Sequence, residues 1–176
     1  MREFTKISGQ FWIGHTGREF RRLGLECQVT ALYLLSGPGA NAIGLYYLPL
    51  PTMAHEIGLS MEKTRKALQQ LVDLKFCVYD EISETIFVFN MARHQIGPRL
   101  KREDKKVVWV RREVEKMRSS PFFDNFLEIY GDRYQLNDLR SADEGTATAP
   151  PRSPEMTPAQ AQIELEERRR MAERSR

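Results

Sequence analysis

Three residues, Gly58-Leu59-Ser60, separate two stretches of helical periodicity, and this short break limits the folds open to the chain more than any other feature. Upstream, Met53, Ala54 and Ile57 fall at i, i+1 and i+4 and form one apolar stripe. Pro51 precedes them, suited to a first helical turn where its missing N–H is not needed. Downstream, Ser60 has the side chain of an N-cap and Glu62 sits where the helix dipole favours an anion. Thr64, Ala67, Leu68, Leu71 and Val72 then give a buried stripe running to about Lys75. A glycine turn of this length is what a steeply crossing helix pair requires. The histidine here does not make a zinc helix: His55-Glu56 would need a second imidazole at i+4, and that position is Leu59.

The flanking segments extend the pattern. "QVTALYLLS", residues 28–36, carries Val29, Leu32 and Leu35 at helical spacing, and "GPGANAIG" ends it as a loop. "LYYLPL" reads as a short strand. After the second helix, "FCVYD" and "TIFVFN" alternate around the polar "DEISET", which predicts a hairpin. The order predicts an α+β fold: a winged helix-turn-helix core with an N-terminal arm and a C-terminal helical extension. The expected divisions are a basic arm over 1–25, the core over 26–93, and the extension over 94–137. A linker over 138–158 and a weak polar helix or tail over 159–176 complete them. In the extension, Val107, Val110, Val114 and Met117 predict a packed helix. Phe122, Phe126 and Tyr130, or Phe123 and Leu127, predict another that ends at Gly131. "SADEGTATAPPRSPEMTPAQ" has the composition of a disordered linker.

Several function classes are disfavoured by the same residues. No apolar run approaches the roughly 20 residues of a bilayer-spanning helix, and "MREFTKISGQFW" lacks the layout of a secretory signal. Cys27 and Cys77, in apolar contexts, read as buried reduced thiols of a cytoplasmic protein. His15, His55 and His94 have no ligand partner at fixed spacing, and Asp80-Glu81 lies on a turn. Neither a metal site, a cofactor loop nor a catalytic constellation is expected.

Charge points instead to nucleic acid. The chain has a formal net charge of +3, distributed unevenly. Residues 93–118 hold ten basic against four acidic residues, and residues 26–92 hold four against seven. A helix entering the major groove presents its first turns to base edges. The exposed face expected after the turn offers Ser60, Met61, Lys63, Arg65, Lys66 and Gln69. Arg and Lys suit guanine, Gln suits adenine, and methionine can press on a thymine methyl. The hairpin tip, with Asp80, Glu81 and Glu84, would repel phosphates and is not expected deep in a groove. Backbone contacts are therefore expected from Arg99, Lys101, Arg102, Lys105 and Lys106, and from Arg18, Arg21 and Arg22 on the other flank. Trp109, Arg111 and Arg112 would add stacking or phosphate contacts, although a tryptophan also suits a core or an interface.

The motifs "QFW…TGREFRRLG", "ALYLLSGPGANAIGLYYLPL", "HEIGLS" and "FCVYDEISETIFVFN" resemble the N-terminal winged-helix module of phage and prophage replication proteins, the replisome organisers and primosomal initiators. The resemblance covers roughly residues 4–135. It implies double-stranded DNA binding with Ser60 through Gln69 as recognition helix. It also implies that the region after the linker engages a replicative helicase or other host protein. No catalytic residue is implied, and no ATPase or primase pattern is found in this sequence, which leaves DNA binding better supported than replication. The expected function is thus sequence-specific DNA binding, as a replication organiser or helicase-loader-like factor. A transcriptional regulator would use the same contacts, and a phage-encoded adaptor or inhibitor of a host protein is the third reading. A homodimer through Trp109, the aromatic 122–130 helix or Tyr46-Tyr47 fits any of them.

Overall fold

A computed structural model describes residues 4–141; the expected weak helix over 159–176 and most of the 138–158 linker lie outside the described residues. The fold is α+β, with helices on both sides of a small antiparallel sheet. Its elements are α1 (Gln10–Ile13), α2 (His15–Leu23), α3 (Leu25–Ser36), β1 (Leu45–Tyr47), α4 (Leu50–Ile57) and α5 (Met61–Asp73). They continue as β2 (Cys77–Asp80), β3 (Thr85–Val88), α6 (Met91–Gln95), α7 (Lys106–Glu115), α8 (Phe123–Tyr130) and α9 (Asp138–Ser141).

The sheet order is β1-β3-β2, so β3 is central. Tyr46 lies opposite Ile86 and Leu45 opposite Phe87, while Val78 also faces Phe87 and Tyr79 faces Ile86. Side chains alternate across a strand, and here each face meets its own core. Ile86 and Val88 join Tyr46 and Cys77 in a core with Phe20, Leu34, Met53 and Leu71. Phe87 and Phe89 join Leu45 in a second core with Val110, Val114, Phe126 and Tyr130. All four residues of β3 are buried, as a strand covered on both faces must be.

The first layer is α2 to α5. The small residues Cys27, Ala31 and Ala67 are buried in α3 and α5, which pack together and bring their axes close. The expected stripe on α3 is displaced as a result. Cys27, Thr30, Ala31 and Leu34 are buried, and Val29, Leu32 and Leu35 are only half-buried. The helix is packed from two sides, by α2 and by α5, so a single-face reading aims its stripe wrongly. The stripe on α5 holds: Thr64, Ala67, Leu68 and Leu71 are buried and Val72 half-buried.

The N-terminal segment is helical rather than an arm. Phe20 is buried and meets Phe76 edge-on with centroids 5.2 Å apart. In the second layer, Tyr130 Oη donates to Phe89 O at 2.5 Å and Tyr134 Oη to Gly97 O at 2.7 Å. The rings of Phe126, Tyr130 and Tyr134 follow one another at 5.0 Å spacings. Both stripes expected on α8 are used, since Phe123, Phe126, Leu127 and Tyr130 are all buried and Phe122 half-buried. Helical structure continues past residue 137 into α9, where Leu139 is buried.

Two glycines have different reasons for being glycine. Gly58, φ +71° and ψ +29°, ends α4 in the left-handed region, and a Cβ there would meet nothing within 4 Å. Gly44, φ +78°, is crowded as well: a Cβ would stand 2.7 Å from Val88 O and 2.8 Å from Met91 Cβ. We expect Gly58→Ala to cost about 1–2 kcal/mol from the backbone alone. Gly44→Ala should cost roughly 2–5 kcal/mol, because overpacking adds to the same strain. Urea unfolding of the two variants separates these, and equal losses would remove the crowding argument.

Candidate functional site

The site is the outer face of α5 and its surroundings. Gly58 N–H bonds back to the end of α4, and Leu59 N donates to Ala54 O at 3.0 Å, which closes the turn. Ser60 Oγ accepts from Lys63 N at 3.3 Å and starts α5 as an N-cap. With the apolar stripe turned inward, Ser60, Met61, Lys63, Arg65, Lys66 and Gln69 are all exposed. At 100° per residue the middle of that face carries Glu62, Lys66, Gln69 and Asp73. Lys63 and Arg65 flank it on opposite sides.

Each flank is held by an acid from another element. Lys63 Nζ pairs with Glu26 Oε1 of α3 at 3.2 Å. Arg65 pairs with Glu81 at the hairpin tip, and both side chains remain more than half exposed. On the face itself, Gln69 Nε2 donates to Asp73 Oδ1 at 2.8 Å. Hydrogen bonds from the backbone and from Lys63 hold the Glu26 carboxyl below the usual carboxylate range. Lys66 alone among the four cations and amides here makes no hydrogen bond or ion pair through its side chain.

The hairpin is shaped by local bonds. Asp80 accepts from Ser83 N at 2.7 Å and from Ser83 Oγ at 2.6 Å, which also lowers its pKa. Tyr47 Oη donates to Glu84 Oε2 at 2.6 Å, tying β1 to the tip. Ile82, at the apex, is 96% exposed.

The expected backbone-contacting residues divide into two groups, and neither sits open beside α5. Arg18, Arg21 and Arg22 lie on α2, in the same layer as α5. Arg18 donates to Ile13 O at 3.0 Å and Arg21 to Trp12 O, both at the C-terminal end of α1, and Arg22 pairs with Glu19 at 2.8 Å. Arg99, Lys101, Arg102, Lys105 and Lys106 are exposed and their side chains make no ion pair. They belong to the other layer, since Leu100 is buried in the second core and Lys106 begins α7. Arg111 is withdrawn from any phosphate role, because it clamps Asp138 with bonds of 2.6 and 2.8 Å and reaches Gln135 O. Sequence reasoning missed the pairing of Lys63 and Arg65. Glu26 is 37 residues from Lys63 and carries no local signal, whereas the acids of "DEISET" beside a basic helix offered a signal for the second pair.

Among the described residues, no cluster of three or more His, Cys, Asp or Glu could hold a metal ion, and no helix is long and apolar enough to cross a membrane. Cys27 and Cys77 are buried free thiols. No protein-family model, curated protein or solved structure matches the chain.

Burial pushes the Cys27 thiol up from 9.0 to about 11, and burial followed by the charge of Cys27 pushes Cys77 up as well. The unfolded chain therefore releases these protons first as pH rises. The contribution of the thiols to stability should stay level below the unfolded value of about 9.0 and fall as pH climbs from there toward about 11. Iodoacetamide at pH 8 should label neither cysteine in the folded protein and both in urea; rapid native labelling would contradict this burial.

Proposed function

We propose that the chain is a sequence-specific double-stranded DNA-binding protein, with α4 and α5 as the helix pair of a winged helix-turn-helix and β2–β3 as its wing. The observation that carries this is the outward face of α5: Ser60, Met61, Lys63, Arg65, Lys66 and Gln69 are all exposed at the start of a capped helix that follows a three-residue turn. The element order from α3 to β3 supports the same reading. On it, α5 enters the major groove with Met61, Arg65 and Lys66 toward base edges. Lys63 and the α5 N-terminus meet phosphate. Arg99, Lys101 and Arg102, free in the other layer, act at longer range by drawing DNA in. The resemblance to phage replication modules makes a replication organiser or helicase-loader-like factor of the cytoplasm the favoured biological role. A transcriptional regulator would need the same surface.

A second reading has one observation in its favour. Pairing of Lys63 with Glu26 and of Arg65 with Glu81 brings the α5 face close to neutral, which suits an adaptor gripping a host protein. Exposed pairs of this kind are worth about 0.2–1 kcal/mol and exchange readily, so they do not block a groove.

Fluorescence anisotropy with labelled duplexes, titrated across salt, decides between them. DNA binding predicts a steep negative slope of log affinity on log salt. Glu81→Gln should then tighten duplex binding about two- to fivefold, because Arg65 no longer leaves a partner behind. Arg65→Ala should relax preference at one base pair by about 1–3 kcal/mol. No duplex binding at low salt, or no response to Glu81→Gln and Arg65→Ala, would leave the adaptor reading in place.

A further inference from the structure

Helix α7 carries a surface that duplex reading by α5 does not use. Its inner side is firmly buried, with Val110 and Val114 inaccessible in the second core. Its outer side leaves Val108 73% exposed and Trp109 39% exposed. An apolar pair standing in solvent on a well-packed helix is not a packing requirement of this fold. Lys105 and Lys106 lie one turn before Trp109, at i−4 and i−3, and Arg112 lies at i+3.

These cations are available. Lys105 and Lys106 make no ion pair through their side chains, and Arg112 has only a 4.0 Å approach to Glu113, which already binds Lys116 at 2.6 Å. Arg111, on the inner flank, is spent on Asp138. The outer face of α7 is thus an indole and a valine framed by open positive charge over about 10 Å of helix.

We propose that this face is a binding platform for single-stranded nucleic acid, with a base stacked on Trp109 and phosphates held by Lys105, Lys106 and Arg112. A flat aromatic surface beside mobile cations meets both demands of a single strand, because every base has a π-face and every linkage a charge. A duplex hides its base faces and gains nothing from the indole. A second copy of the chain is disfavoured, since a symmetric contact would press Lys105, Lys106 and Arg112 against their own equivalents. The exposed basic loop residues Arg99, Lys101 and Arg102 precede the helix, which extends the complementarity to a polyanion. The surface lies across the sheet from α5, so the proposal stands independently of duplex reading.

The test uses the full chain with Trp12→Phe, so that Trp109 is the one tryptophan and its fluorescence reports stacking. The probes are unstructured dT12 and rU12, an abasic oligonucleotide of the same length, polyglutamate, and a random duplex. The expected result is that dT12, rU12 or both quench Trp109 and bind more tightly than the abasic strand or polyglutamate. Trp109→Ala should lower single-strand affinity about five- to a hundredfold. Lys105→Ala/Lys106→Ala should reduce the single-strand salt slope by about 1.4. Trp109→Phe should retain much of the affinity, which separates stacking from misfolding, and duplex binding governed by Arg65 should persist in both Trp109 variants. A preference for dT12 or for rU12 assigns the source as DNA or RNA. Equal binding of abasic strand and dT12 would overturn the platform, as would single-strand affinity that ignores both Trp109 variants. Tighter binding of polyglutamate than of either oligonucleotide would overturn it in favour of an acidic protein partner.

Discussion

Burial of β3 on both faces is the constraint on which the molecule depends. A three-stranded sheet with strands of three or four residues has little stability of its own. Its central strand must therefore find apolar cover on each side. Ile86 and Val88 take theirs from the layer of α2 to α5, and Phe87 and Phe89 take theirs from the layer of α7 to α9. Alternation along "TIFVF" places successive residues in different cores, so a one-residue slip would exchange the contents of both. The local bonds of the hairpin guard that register. Asp80 holds Ser83, and Tyr79 Oη donates to Leu48 O at 3.0 Å across the sheet.

The two layers then have different surfaces for a reason of topology. The helix after the Gly58 turn leads straight into β2, so its outer face lies beside the hairpin tip and shares that tip's carboxylates. The basic run follows β3 and α6 and is carried to the far side, where Leu100 N donates to Arg133 O at 2.9 Å and anchors the loop to the α8–α9 connection. Positive charge that adjoins the core in sequence is thereby separated from it in space. The free cations near Trp109 and the paired cations of α5 are two surfaces, one open and one internally balanced.

Much of the first layer was legible because its signals are local. Gly58, Ser60 and the Thr64–Leu71 stripe determine a turn, a cap and a buried face within fourteen residues, and the alternation of "FCVYD" and "TIFVFN" does the same for the hairpin. The α3 stripe is hard to see in the sequence because Cys27, Thr30 and Ala31 do not stand out in a hydrophobicity pattern, yet they occupy the face that two neighbouring helices approach. The N-terminal segment has the charge of an arm in sequence, while Phe20 and the arginine bonds to α1 carbonyls give it a core and a reason to be helical. The exposed α5 residues were placed correctly on their face, but their partners were not visible. Lys63 meets Glu26 only because the chain between them, through β1 and α4, brings α3 and α5 together.

Those partners lower affinity for every site without erasing the discrimination between sites. On the proposed reading, moving Arg65 from Glu81 to a phosphate exchanges one exposed charge contact for another, each worth about 0.2–1 kcal/mol, and gains almost nothing. Moving it to a guanine edge gains a bidentate pair worth about 1–3 kcal/mol of discrimination. The released carboxylate at the hairpin tip meanwhile repels the backbone whichever sequence is bound. An acid that competes for the reading side chain therefore subtracts nearly all of the benefit of an incorrect site and only part of the benefit of a correct one. Specificity is a difference between affinities, so a penalty common to both complexes leaves that difference unchanged while it lowers binding at incorrect sites to almost nothing and leaves the correct site bound.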